Sequence, residues 1–158
     1  MEIEFENSDI SKFEADALIY STNQNFNLSG GVGKSLVREY GIGIQSLLDR
    51  KLRELNLDEV PVGTIIEGGI SQVPWKRIFH VVATDLDYET DSKIVRSILR
   101  ECFEVCEIDY SINTIALSAL GCGYGSMKES EFINILKEEY YPYGKAGTFK
   151  VILVGTSF

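Results

Sequence analysis

In 158 residues there are one histidine, three cysteines, three prolines and one tryptophan, and 15 basic residues stand against 24 acidic ones. Each scarcity excludes something. A lone histidine without clustered partners, an odd number of cysteines and no C-x-x-C spacing make a structural zinc site a poor fit, so no metal is expected. Three cysteines suit a reducing compartment. Cys102 and Cys106 stand one helical turn apart, in phase with Val95, Ile98 and Leu99, which reads as the buried face of a helix. With a formal net charge of −9 and scattered Lys and Arg, the chain lacks the basic patch that phosphate-backbone binding needs. No direct nucleic-acid partner is expected. A small anion is not excluded, because backbone amides and a helix amino end act at short range. No apolar run is long enough to span a bilayer, and Met1-Glu2-Ile3-Glu4-Phe5-Glu6 alternates like a strand instead of following a signal-peptide pattern. These features predict a soluble, intracellular, cytoplasmic protein with no membrane partner.

The length fits one domain over residues 1–158 with no visible linker, large enough to bury about two-thirds of the surface its unfolded chain exposes. Strand-like runs fall near residues 2–6, 15–22, 62–68, 77–84, 113–120 and 149–155. Helical patterns lie mainly between them, and the alternation predicts a layered α/β domain. A first helix carries Leu36, Val37 and Tyr40 and stops at Gly41, and a second carries Ile44, Leu47, Leu48, Leu52 and Leu55 on one stripe. The third begins after an N-cap within Thr90-Asp91-Ser92 and runs to about Ile108. The fourth runs from about Lys128 to Tyr140 and is expected to end before Pro142. Tyr140-Tyr141-Pro142-Tyr143 reads as a helix end packing back on the domain before a turn at Gly144, with a partner surface as the alternative.

Two glycine clusters carry the functional signal. In Ser29-Gly30-Gly31-Val32-Gly33-Lys34-Ser35 a glycine run opens an amphipathic helix just after a strand, so unpaired N–H groups of the first turn point at an arriving anion. Taken alone, this segment reads equally well as an ordinary tight turn. Gly121-Cys122-Gly123-Tyr124-Gly125 follows another β-rich run, Thr114 to Leu120, and precedes another helix. Two such loops at the carboxyl ends of strands are placed to clamp one ligand from both sides.

Several segments together resemble the macrodomain family of ADP-ribose-binding modules. Ser8-Asp9-Ile10-Ser11 is similar to the family's G-D-I-T start, with Ser8 in place of glycine. Asp16 to Asn23 is similar to its D-A-I-V-N-A-A-N strand, keeping the final asparagine but having Tyr20 at the first. The spacing from Asn23 to Gly30-Gly31-Val32 resembles the N-x-x-x-x-x-G-G-G-V pattern, with Ser29 for the first glycine. Val62-Gly63-Thr64-Ile65-Ile66 and Arg77 to Val82 resemble the P-x-G and V-I-H-x-V pair, and the second glycine cluster resembles the G-C-G form of the second phosphate loop. The family's usual helix after the last strand has no counterpart before Phe158. The resemblance covers nearly the whole chain and implies a three-layer α/β/α fold around a mixed, mostly parallel sheet of about six strands.

It also implies roles. Asp9 would accept a hydrogen bond from the adenine amine, unless it merely caps a turn, and Ile10 would offer its backbone N–H to the ring. Asn23 would bind the distal ribose, with stabilisation of its own loop as the alternative. The amides of Gly30, Gly31, Val32 and Gly33, and those of Gly121, Cys122, Gly123, Tyr124 and Gly125, would enclose the diphosphate. Tyr124 would cover the phosphates or the ribose, or pack under the loop. Phe158 would stack on adenine, or fray. His80 falls at a strand position and reads as structural.

For catalysis the same comparison is negative. One hydrolase branch has an aspartate after G-G-V, where this chain has Gly33 followed by Lys34. Another pairs a lysine near the end of the fourth strand with an acid after G-C-G-x, where this chain has Asp85 or a neighbour, and Gly125. Asn23, Lys34, Asp85 and Cys122 remain as weak candidates. The expectation is therefore a module that binds ADP-ribose, or an ADP-ribosylated macromolecule, as ligand, with no further cofactor and without efficient hydrolysis. A hydrolase of ADP-ribose esters, ADP-ribosyl groups or a terminal ribose phosphate is the alternative, and a degenerate interaction scaffold is a further one.

Overall fold

The computed structural model of the chain describes residues 3–123 and 125–156. Six strands form one sheet in the order β1-β6-β5-β2-β4-β3, namely β1 (Glu4–Asn7), β2 (Ala17–Thr22), β3 (Ile65–Glu67), β4 (Arg77–Val82), β5 (Thr114–Leu117) and β6 (Lys150–Gly155). All neighbours pair parallel except β3 with β4. The expected mixed, mostly parallel sheet of six strands is what forms.

Strand alternation sorts the core into two layers. Odd-numbered residues such as Ile19, Phe79, Val81, Leu117 and Leu153 point to one face, where they meet Val95, Leu99, Phe103 and Leu136 from α3 (Ser92–Ile108) and α4 (Glu129–Ala146). Even-numbered Leu18, Tyr20, Ile78, Ala116 and Ile152 point to the other face, against Leu36, Ile44 and Leu48 from α1 (Gly31–Tyr40) and α2 (Gly43–Leu55). With both faces covered, the first four residues of β2 are all fully buried, as a central parallel strand requires.

Asp91 caps α3, accepting from the Ile94 amide at 2.9 Å. Cys102 and Cys106 lie in the α3 core, and burial holds both thiols protonated, that of Cys106 pushed up to about 12. His80 is fully buried in β4, with Nδ1 facing the Tyr20 hydroxyl and Nε2 facing Gly68 O at 2.7 Å. Tyr20 therefore replaces an asparagine of the family's strand with a partner for a structural imidazole, which desolvation lowers to about 4.

The fourth helix departs from expectation. It continues through Pro142 and Gly144 to Ala146, closing at Gly147 with a φ of 69°. Pro142 removes one helical hydrogen bond and crowds the preceding turn, at roughly 3 kcal/mol. Packing on both sides of it compensates. Tyr140 is buried and donates its hydroxyl to Phe149 O at 2.7 Å, while the Tyr143 ring stacks on Phe149 with centroids 5.1 Å apart. Of the aromatic cluster only Tyr141 remains largely exposed, so the segment chiefly packs back on the domain. No helix among the described residues is long and apolar enough to cross a membrane.

Candidate functional site

The carboxyl ends of β2, β5 and β6 open into a cleft with two connected compartments, of about 540 Å³ and 430 Å³. Gly31, Val32, Ser118, Ala119, Cys122 and Gly123 line both and form a shared floor. Asp9, Ile10 and Arg38 mark the near compartment; Thr22, Asn23, Thr84 and Tyr88 mark the far one. A separate depression of about 340 Å³ is lined by Lys93, Arg96, Ser97, Arg100, Glu101 and Glu104. It is a groove on α3, and none of its lining residues line the cleft.

At the near end, Asp9 caps a 3-10 turn (Ile10–Lys12): Oδ1 accepts from Ser11 N at 3.0 Å and Ser11 Oγ at 2.7 Å. The Ser11 hydroxyl, with help from Arg38 and Lys12, lowers the carboxyl below its ordinary value. Asp9 thus does cap a turn, while Oδ2 lies 3.4 Å from the Arg38 guanidinium on the compartment wall. The Ile10 side chain is buried. Arg38 escaped the sequence reading, since in sequence it is one more charge on a helix.

The first glycine loop runs from Asn23 into α1. The Asn23 amide is turned onto its own loop, donating to Asn27 O at 2.9 Å and accepting from Asn27 N at 2.8 Å. This is the loop-stabilising role, which leaves the second Nδ2–H and the second Oδ1 lone pair of Asn23 for a ligand. Gln45 of α2 clamps the same loop, accepting from Leu28 N and donating to Phe26 O, each at 2.8 Å. No side chain caps the amino end of α1 at Gly30, so its first-turn amides of Gly31, Val32 and Gly33 belong to the cleft. Gly33 is buried under the loop; a Cβ there would stand 2.8 Å from Leu28 Cδ2 and 3.3 Å from Leu28 Cα. An aspartate at this position would have to push Leu28 aside.

The second loop is folded on itself. Cys122 N donates to Ala119 O at 3.3 Å, Gly125 N to Cys122 O at 3.4 Å and Met127 N to Gly121 O at 3.1 Å. The expectation that every amide from Gly121 to Gly125 faces a ligand therefore needs correcting, because those of Cys122 and Gly125 close turns. A Cβ at Gly125 would overlap the Gly121 carbonyl. The Cys122 thiol lines both compartments, but burial, aided by Glu129 and Glu131, pushes it up to about 11. It is a neutral lining group, contrary to an activated thiol. Tyr124 and Phe158 lie outside the described residues.

The remaining catalytic candidates do not converge. Asp85 Oδ1 accepts from Asp87 N at 2.8 Å and Glu89 N at 2.9 Å, shaping the loop after β4, and neither Asp85 nor Lys34 lines the cleft. Among the described residues lining the far compartment there is no Asp, Glu, Lys, Arg or His. Its polar character comes from neutral side chains, among them Thr22, Asn23, Asn27, Thr84, Tyr88 and Ser118. Among the described residues no group of three or more His, Cys, Asp or Glu is placed to hold a metal.

The Macro domain family profile matches residues 19–136, three-quarters of the chain. The chain belongs to the Macro domain family. This macrodomain is 30% identical over 145 residues to an uncharacterized protein of Sulfolobus acidocaldarius, covering 90% of the present chain and 78% of that one. In fold it is similar to a mutant Oceanobacillus iheyensis macrodomain solved with ADPR, with a TM-score of 0.83, 18% identity and coverage of 97% and 84%. The macrodomain of Mycobacterium tuberculosis DarG matches with a TM-score of 0.79 at 15% identity, over 99% of both chains. At such identities the likeness establishes the three-layer α/β/α fold, and the residues of this macrodomain's cleft have to be argued from their own geometry.

Proposed function

We propose that this macrodomain binds ADP-ribose, free or attached to a macromolecule, and does not hydrolyse it efficiently. The adenosine would lie in the near compartment, where Asp9 Oδ2 and the Ile10 backbone supply an acceptor and a donor for the adenine edge. The diphosphate would cross the shared glycine floor at the amino end of α1, where first-turn amides and the helix dipole favour negative charge. The distal ribose would enter the far compartment.

The observation that carries the second half of the proposal is the absence of any Asp, Glu, Lys, Arg or His among the described residues lining the far compartment. General acid–base catalysis needs a titrating group within hydrogen-bond reach of the reacting atom. Gly33 packs against Leu28, Asp85 is used in its own loop, and the Cys122 thiol is protonated at neutral pH.

Calorimetric titration with ADP-ribose, ADP, AMP and NAD at one salt concentration tests the reading. ADP-ribose is expected to bind more tightly than ADP, and no ADP-ribose should be released from a modified protein above the buffer rate. Gly30→Glu is the diagnostic variant. Gly30 has extended backbone at φ −150° and open space around its Cβ, so a side chain is tolerated there, whereas Gly31 at φ 57° would be strained by one. A folded Gly30→Glu protein with undiminished affinity would exclude this cleft, and turnover by the unmodified protein would overturn the non-hydrolytic half.

A further inference from the structure

A binding cleft of this kind does not explain why a large aromatic residue stands at position 88. Tyr88 has a φ of 62°, in the left-handed region that glycine and asparagine occupy at less cost than an aromatic residue. Its segment is over-determined. Asp85 Oδ1 accepts from the Asp87 and Glu89 amides at 2.8 and 2.9 Å, and Asp85 N donates to Glu89 O at 3.0 Å. Tyr88 N donates to Asp85 O at 3.0 Å and Tyr88 O accepts from Ser126 N at 2.9 Å, which ties the segment to the second glycine loop. Strain kept in place this way beside a cleft is a pointer to function. The side chain is not absorbed into the core either: it is 55% exposed, yet Tyr88 lines the far compartment and not the near one.

We propose, resting on the ADP-ribose reading above, that Tyr88 is a specificity-determining residue of the far compartment, its ring lying against the distal sugar. Ligands that carry a second sugar are thereby separated from those that end at the diphosphate. The lining leaves few other means of discrimination. With no charged side chain among its described residues, selection there rests on shape, hydroxyl groups and ring faces. An aromatic ring presents an apolar body to the C–H face of a sugar and, in tyrosine, a polar tip to its hydroxyls. The same ring does nothing for ADP, which ends over the shared floor.

The test is titration of the whole chain, unmodified and as Tyr88→Asn and Tyr88→Phe, with ADP-ribose and with ADP, together with the melting temperature of each protein. Asparagine accepts the left-handed backbone, so Tyr88→Asn is expected to melt no lower than the unmodified chain. Its affinity for ADP-ribose should fall roughly tenfold while that for ADP is unchanged. Tyr88→Phe keeps the ring and should stay within about twofold of the unmodified chain. Should Tyr88→Asn fail to fold, Tyr88→Gly suits the same backbone and removes the ring equally. Undiminished ADP-ribose affinity without the ring, an equal loss for ADP, or a loss in Tyr88→Phe as large as in Tyr88→Asn overturns the assignment. Failure of the unmodified chain to prefer ADP-ribose over ADP is a different result: it overturns the binding reading itself, and this inference with it.

Discussion

The first glycine loop is held mainly by side chains and the second mainly by backbone turns. Around residues 23–31 the clamps are side chains: Asn23 on the Asn27 backbone from within the loop, Gln45 of α2 on the Leu28 and Phe26 backbone, and Gln24 reaching out to Val60 O. Around residues 119–127 backbone turns within the loop dominate, packed so closely that a Cβ at Gly125 would meet the Gly121 carbonyl, with the Tyr88 segment tied on at Ser126. A loop clamped by side chains that feeds a helix leaves first-turn amides for an anion. A self-closed loop has given some of its amides to its own turns and contributes shape instead. On the proposed binding reading the first loop would supply charge recognition, and the second would form the opposite wall.

The largest effect should come from breaking the self-closed loop. Gly125→Ala puts a methyl into a backbone carbonyl that cannot rotate away, and we expect a loss of about 3 kcal/mol in urea unfolding together with loss of ligand binding. Next is a perturbation of the sheet that carries both loops. His80 is lowered to about 4 in the fold, against about 6.5 unfolded. Between those values the unfolded chain takes up a proton that the folded chain does not, so stability present above pH 6.5 is lost as pH falls towards 4. The contribution reaches on the order of 2–3 kcal/mol near pH 4.5. Unfolding of the unmodified chain and of His80→Gln at pH 7, 5.5 and 4.5 should give a shallower pH slope for the variant.

Gly33→Asp tests whether the first loop tolerates the acid used by one hydrolase branch. Crowding against Leu28 predicts about 2 kcal/mol of destabilisation and no gain of hydrolysis; a stable variant that hydrolyses ADP-ribosylated protein would contradict the packing argument. The smallest effect is expected from Gln45→Ala, which removes two clamps from the first loop. A loss of roughly 1–2 kcal/mol is predicted, with affinity reduced through the loop while the second loop is unaffected. Amide exchange should report faster opening at 23–31 and unchanged protection at 119–127.

Much of this architecture was legible because it is written in short-range patterns. Among the described residues, alternation located the six strands and three- and four-residue spacing the four helices, with Asp91, one of three candidates in Thr90-Asp91-Ser92, as the cap of α3. The two glycine clusters do face each other across one cleft. Local rules misplaced the end of α4, since they count the hydrogen bond Pro142 removes but not the Phe149 contacts that offset it. They also left the partners of Asp9 and Asn23 open, because a carboxylate or amide that serves a ligand and one that caps a turn look alike in sequence.

The residues themselves determined the layers, the family resemblance and the position of the glycines, all of which follow from periodicity and from what glycine alone permits. Only the tertiary structure decided what those parts can do. It brought Arg38 to Asp9, 29 positions away, set Gln45 of α2 on the Leu28 and Phe26 backbone, packed Leu28 against Gly33, and placed Tyr88 at a compartment with no charged side chain among its described lining residues. The physical reason is that side-chain function depends on which groups meet, and those meetings are made by chain crossings that no local pattern records.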